Sequence, residues 1–486
     1  MYKKINDTKQ PFLALPYLNL GDAWKALRDL KKTVAYYELA LKVYSTILGD
    51  IKPQVAATLN KLGLAWKNLE ETDKSVECLE KALNIYKSCF GEDHPQVATT
   101  FYNLGLTWRS SGKATKAVEC YENALKIYKK VYGDNDLSIA TTLNSLSLAW
   151  DEIGDANKAV QCQEEALTIK KKIYGNEHPS LTTGLHNLGS AWQSLGNQQK
   201  TIACHEEALE INKKNFGNEH PSYATSLQNL GDAYCDFGEL KKGIPYLEEA
   251  LRLRIKALGN DHDDVATTLN SLGIAYKDLG DPKKGVECLK KSLKISEKIQ
   301  GKEHSDSAFT INNLANAWRD LGEAKKAKKY YEKALKLIKS VFGPNHLHVS
   351  FPLYGLGESM RMMGEFKKSK EYHEEALQLR KKVHGEEHLI VAISLDGLGA
   401  TLRSLGEPQQ ALDHHQRALA VYKAKYPKDP SLATCHYYSG QAWQALGQSP
   451  KAKESFDQAL LMRINIFGPD HSKVKEIEQA LKKLNI

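Results

Sequence analysis

Histidine, cysteine and paired acids are the residues whose chemistry could reach beyond packing, and most of them recur at one interval. Eight of the sixteen histidines, at 94, 178, 220, 262, 304, 346, 388 and 471, sit in a recurring link of the form Gly-x-Glu/Asp-His-Pro, as in Gly91–Pro95, Gly175–Pro179 and Gly217–Pro221. Imidazoles in series could bind metal or sense pH. Equivalent residues of neighbouring units lie about one helix pair apart, roughly twice the 8–10 Å between packed helices. That is too far to share an ion, so these histidines are read as linker residues that hydrogen-bond across a joint. Cys78, Cys120, Cys162, Cys204 and Cys288 are also in phase. A disulfide needs Cα atoms within about 7 Å, so they are read as half-buried thiols of a reducing compartment. His205-Glu-Glu and His373-Glu-Glu open like a zinc-protease motif, but Leu209 and Leu377 stand where the second histidine is needed. The His414-His415 doublet is read as solvated surface. Neither a phosphate-cradling Gly-x-x-x-x-Gly-Lys loop nor a Cys-x-x-Cys pair occurs. No enzyme activity, cofactor, metal site or small-molecule substrate is expected.

Amides and cations form a second pattern, suited to recognition. Asn60, Asn144, Asn270 and Asn312 share a column with Leu18, Tyr102, His186, Gln228, Tyr354, Asp396 and Tyr437. Asn19, Asn103, Asn187, Asn229 and Asn313 run beside it. Seven residues after the first column come Lys25, Lys67, Arg109, Asp151, Gln193, Cys235, Lys277, Arg319, Arg361, Arg403 and Gln444. Seven residues are nearly two helical turns, so both columns fall on one side of a helix. An Asn amide both donates and accepts, and a series of them can hold the backbone of an extended peptide whatever its sequence. Cations alongside would pair with acidic residues or a terminal carboxylate. Asn is a poor helix former, and its recurrence mid-helix is read as a binding face. The cationic column is basic at Lys25, Lys67 and Arg109 and again from Lys277 to Arg403. The expectation is therefore two acidic ligand segments, or one long one.

The elements that position these columns repeat every 42 residues. Trp24, Trp66, Trp108, Trp150, Trp192 and Trp318 mark the period, Tyr234 and Tyr276 fill its vacancies, and Trp443 comes near its end. In residues 95–136, apolar positions at 97, 101, 104 and 108 have helical spacing until Gly112 interrupts. A second helical pattern runs through 117, 118, 121, 124, 125, 128 and 131 to Gly133. Pro suits the first turn of each following helix. The central Gly, with Trp three residues later, is expected to face the partner helix, the Gly allowing close approach and the Trp filling the gap. Counting this way gives eleven helix-turn-helix units over 11–471, the last one residue short, and a capping helix over 472–486. The fold class expected is all-α, one solenoid. Repeat 9 departs most: Pro352, Gly355, Gly357 and Gly364 are expected to weaken its first helix, and Met360 replaces the Trp.

Within each unit the order is Leu-x-x-Leu-Gly-x-x-Trp/Tyr-x-x-x-Gly, then Ala-x-x-x-Tyr/Leu-x-x-Ala-Leu, carried in residues 95–136 by Phe101, Leu104, Gly105, Trp108, Gly112, Ala117, Tyr121, Ala124 and Leu125. This resembles the tetratricopeptide repeat. The 42-residue period and the Gly-x-Glu-His-Pro-x-Val-Ala link resemble kinesin light chain and nephrocystin-type arrays. The resemblance implies a right-handed superhelix of antiparallel helix pairs whose first helices line a groove for extended peptides. No heptad segment of the kind that joins kinesin light chains to their motor is found.

Bulk properties agree with a peptide-binding scaffold. The formal charge of +8 (67 basic against 59 acidic residues) permits an acidic partner without demanding nucleic acid. Neither a membrane span nor a signal-peptide stretch is found, so a cytoplasmic setting is expected. Two alternatives remain: a helical-repeat RNA binder, disfavoured by the mild charge and few aromatic column residues, and the ligand-sensing arm of a larger signalling protein, suggested because the period is already running at Pro11.

Overall fold

A computed structural model describes residues 14–301, 304–427, 429–469 and 472–484; Pro11 and His471 lie outside these. The described residues form twenty-three α-helices and two short 3-10 turns, with no strand. The chain is an all-α solenoid of antiparallel helix pairs. Repeat 3 shows the plan: a first helix Pro95–Ser110, a turn, and a second helix Ala114–Tyr132. At the turn Gly112 takes φ +74°, and the Lys113 amide donates back to the Trp108 carbonyl at 2.9 Å. Glycine adopts this left-handed conformation without the Cβ clash that other residues suffer.

The links explain the histidine series. His94 Nδ1 accepts from the Gln96 amide at 3.2 Å while its ring stacks on Phe90, centroids 4.2 Å apart. His178, His220, His346 and His388 repeat the arrangement, each capping the next helix and stacking on the last turn of the helix before. The imidazole thus satisfies one of the free amides at a helix start. In the link before repeat 11 Asp429 caps the helix Pro430–Ala445 instead, accepting from Ser431 at 2.7 Å. The one-residue shortening of the period falls in this link.

Two compact units are formed, residues 1–233 and 234–486. Within each, successive helices pack on one another, as Pro95–Ser110 does on Ala114–Tyr132, and first helices of successive repeats also touch, as Pro53–Asn68 does on Pro95–Ser110. The closest approach in a repeat is at the central glycine. A Cβ on Gly105 would stand 2.5 Å from the Tyr121 ring, one on Gly189 2.6 Å from His205, and one on Gly440 2.7 Å from Phe456. The gap opposite the glycine is therefore filled by the second helix, sixteen residues on, and not by the tryptophan. Trp24, Trp66, Trp150 and Trp192 lie half-buried at the edge of the pair. A lysine near the start of the second helix covers each ring, Lys200 for example at 3.7 Å from the Trp192 centroid.

Repeat 9 corrects an expectation. Its first helix is shortened to Ser350–Met362 after a 3-10 turn, yet its glycines are docking notches. In repeat 8 Ala315 stands where the central glycine would be, and Tyr331, packed beside it, lies against Gly355, whose Cβ would come within 2.2 Å of the ring. Gly357 admits His373 in the same way. Met360 is 1% exposed and fills the core in place of the usual tryptophan.

A third regularity is a buried polar joint between repeats. Asn212 donates to Ser226 at 2.8 Å, Arg254 to Thr268 at 2.7 Å and Arg380 to Ser394 at 2.7 Å. In each case a residue late in a second helix reaches a hydroxyl in the next first helix. His186 joins the first of these, bridging His205 Nδ1 at 3.1 Å and Ser226 at 3.0 Å.

Two measurements follow. Gly105→Ala drives a methyl into Tyr121, and the expected loss is about 1–3 kcal/mol in chemical denaturation. An unchanged transition would show that the notch has slack. The second concerns acid. Burial, then the neighbouring His205, lowers His186 to about 3, and burial lowers His205 to about 4, from 6.5. Both folded values lie below the unfolded one, so the unfolded chain takes up the protons first as pH falls. The contribution of this pair is complete above pH 6.5 and is lost between 6.5 and 3. Thermal denaturation should show His205→Gln weakening that slope; an identical slope would place the acid sensitivity elsewhere.

Candidate functional site

The structure brings the two asparagine columns together in pairs. In the unit 1–233, Asn103 Nδ2 donates to Asn60 Oδ1 at 3.5 Å, and Asn60 Nδ2 donates to Thr100 at 2.9 Å. Asn187 donates to Asn144 at 2.9 Å. In the unit 234–486, Asn313 donates to Asn270 at 3.2 Å. Each such bond links successive first helices, and it engages one amide hydrogen and one oxygen lone pair of groups that carry two of each. Asn60 and Asn103 are buried; Asn144, Asn187, Asn229, Asn270, Asn312 and Asn313 are half-buried. The Asn312 oxygen is buried with no hydrogen-bond partner among the described residues. The columns thus couple neighbouring repeats, which the spacing of 43 residues between donor and acceptor encodes.

The cationic column divides by whether the chain supplies its own counter-charge. Arg109 Nε lies 3.1 Å from Glu152. Arg319 donates to Asp320 at 3.0 and 3.1 Å, and Lys277 reaches Asp278 and, at 4.0 Å, Asp320. Arg361 forks onto Glu358 at 2.7 and 3.3 Å. Lys25, Lys67 and Arg403 have no acid within ion-pair distance among the described residues. Lys25 is exposed, and Lys67 is half-buried between Lys25 and Arg109. Burial first, then Arg109 and Lys25, hold the Lys67 ammonium below the usual lysine range. Burial and Arg361 act the same way on Arg403, whose Nε is buried without a partner.

In the unit 234–486 charged side chains on the same helix face pair with one another. Glu358 lies 3.2 Å from His373 Nε2. Burial opposes its charge, but His373 and Arg361 hold this carboxylate well below the usual range. Tyr438, on the first helix of repeat 11, is close enough to Glu358 and Arg361 of repeat 9 to feel both. Glu358 was missed by the column reading because it lies one residue after the central glycine; Tyr438 lies in register with Asn103 and Asn187, where only the asparagines were picked out. The sequence also placed His415 at the surface; it is fully buried against Gly399, and only His414 is half-exposed. The position sixteen after each glycine carries the signal that would have shown this.

What this face can do is bind: it offers amides with unused capacity and three cations lacking an internal anion. The tetratricopeptide repeat profile matches residues 64–114, 108–172, 180–242, 229–298, 265–340, 306–382 and 352–424. No curated protein matches the sequence. Among similar solved structures, a putative kinesin light chain of Podosopora anserina with nearly identical TPR-like repeats is 25% identical; the match covers 43% of this chain and 98% of that one, TM-score 0.40. BtubC (BKLC) from P. vanneervenii is 22% identical over 47% of this chain and 91% of its own, TM-score 0.40. The apo form of RapI is 17% identical over 59% and 98%, TM-score 0.46.

Proposed function

The chain belongs to the tetratricopeptide repeat family, and on that premise we propose that it is a non-catalytic cytoplasmic scaffold that binds extended acidic peptide segments on the Asn-lined, partly basic face of its first helices. The observation that supports the reading most is the Lys25–Lys67–Arg109 series. Three cations stacked in successive repeats, with only Arg109 paired to an acid of this chain, repel one another and leave Lys67 half-buried and uncompensated. A ligand carboxylate beside Lys67 relieves both terms. Asn103 and Asn60, next to it, supply amide groups for a peptide backbone.

The internal pairs direct where such a ligand binds. Arg319 and Arg361 already hold Asp320 and Glu358, so reversing their charge would break those pairs and report on folding as much as on binding. Lys67 carries no such ambiguity. Fluorescence anisotropy with a labelled, extended Asp/Glu-rich peptide and the full chain is expected to show Lys67→Glu weakening binding at least about tenfold and Lys67→Gln less. Lys74→Glu, on the outer Trp66 ring, should leave binding unchanged. Equal affinity for wild type and Lys67→Glu would overturn the site. Tighter binding of single-stranded RNA, with a steep loss of affinity on adding salt, would favour nucleic acid as the partner.

A further inference from the structure

The joint between repeats 10 and 11 differs in chemistry from every other. Where repeats 2, 4, 6, 7 and 8 place Asn or Gln in the first helix, repeat 10 has Asp396; where other repeats place Ser226, Thr268 or Ser394, repeat 11 has Cys435. His415 fills the glycine-facing position and Tyr422 the position from which Arg254 and Arg380 reach their hydroxyls. His415 Nδ1 lies 2.9 Å from Asp396 Oδ1. One ligand-type atom from each of Asp396, His415 and Cys435 lies within 4.8 Å of the others. Asp396 is 5% exposed, and His415, Cys435 and Tyr422 are wholly buried. The Tyr422 hydroxyl, close enough to interact with both Asp396 and Cys435, has no well-formed hydrogen bond among the described residues.

We propose that Asp396, His415 and Cys435, completed by the Tyr422 hydroxyl, form a buried site for a divalent zinc-type ion that pins repeat 10 to repeat 11. Around a tetrahedral ion with bonds of about 2.0–2.3 Å, ligand atoms stand roughly 3.3–3.8 Å apart. The His415–Asp396 pair at 2.9 Å needs to open by a few tenths of an ångström, and any separation near 4.8 Å to close by about 1 Å. Charge agrees as well. Binding releases the Cys435 thiol proton to solvent, and the ion's two positive charges then meet one thiolate and one carboxylate, with imidazole and phenol neutral. The site closes with no net charge, the condition an apolar interior imposes. A thiolate with an imidazole selects zinc over magnesium or calcium, which take oxygen ligands. Because all four groups are buried, the ion enters as the joint folds.

The test uses the full chain, free of tags and refolded with equimolar zinc. Elemental analysis should find about one zinc per chain, and replacement by Co²⁺ should give a thiolate-to-cobalt charge-transfer band. Cys435→Ser and Asp396→Asn each install the residue type that other repeats carry at the same place, so both are expected to fold, as circular dichroism would verify. Bound metal should fall at least about tenfold in each, while Cys120→Ser retains it. Wild-type protein that holds no zinc after refolding with it, a cobalt spectrum lacking the thiolate band, or zinc content unaltered by Cys435→Ser would overturn the site. Should Cys435→Ser not fold, Asp396→Asn and the wild-type cobalt spectrum decide the matter.

Discussion

Everything in this chain rests on the approach of two helices at a glycine. With Cβ absent at Gly21, Gly63, Gly105, Gly189, Gly273, Gly357, Gly399 and Gly440, a side chain of the second helix sits against the first helix's backbone at distances a Cβ would not tolerate. That contact sets which face of the first helix is used up in packing and which is left over. It also encloses the glycine-facing residue almost completely, as Tyr37, Tyr121 and His415 show. Where Ala315 replaces the glycine, Tyr331 still packs beside it and also reaches Gly355 of the next repeat.

Polar groups on the left-over face are first engaged within the fold. Asn60 with Asn103, Asn144 with Asn187, and Asn270 with Asn313 couple neighbouring first helices, and Arg319 and Arg361 bind acids of their own or adjoining turns. A column of similar residues is therefore unequal in what it can offer a partner. Lys25 and Lys67 offer most, since no carboxylate of the chain meets them among the described residues. This inequality turns a general capacity of the repeat into a specific place.

The helix pairs, turns and capping links were legible in the sequence because each follows from local periodicity and from residues with few alternatives, such as Gly at a left-handed turn. The facing columns were legible for the same reason. Two kinds of fact were not. Which cations are neutralised depends on Glu152 and Asp320, which share a register one residue after the cationic column, and on Glu358, one residue after the central glycine; the column alone shows none of these pairings. The role of His415 depends on Asp396 and Cys435, which are near one another only because three helices converge. Gly355 read as weakness, since a glycine seen alone lowers helix propensity, whereas the ring it admits belongs to another repeat.

Hydrogen exchange on the full chain, with and without an acidic extended peptide, tests the central claim most directly. The account predicts slowed exchange at the first helices Pro53–Asn68 and Pro95–Ser110, centred on Lys67 and Asn103, with little change on the outer second helices. Protection confined to second helices, or none at a saturating peptide concentration, would contradict it.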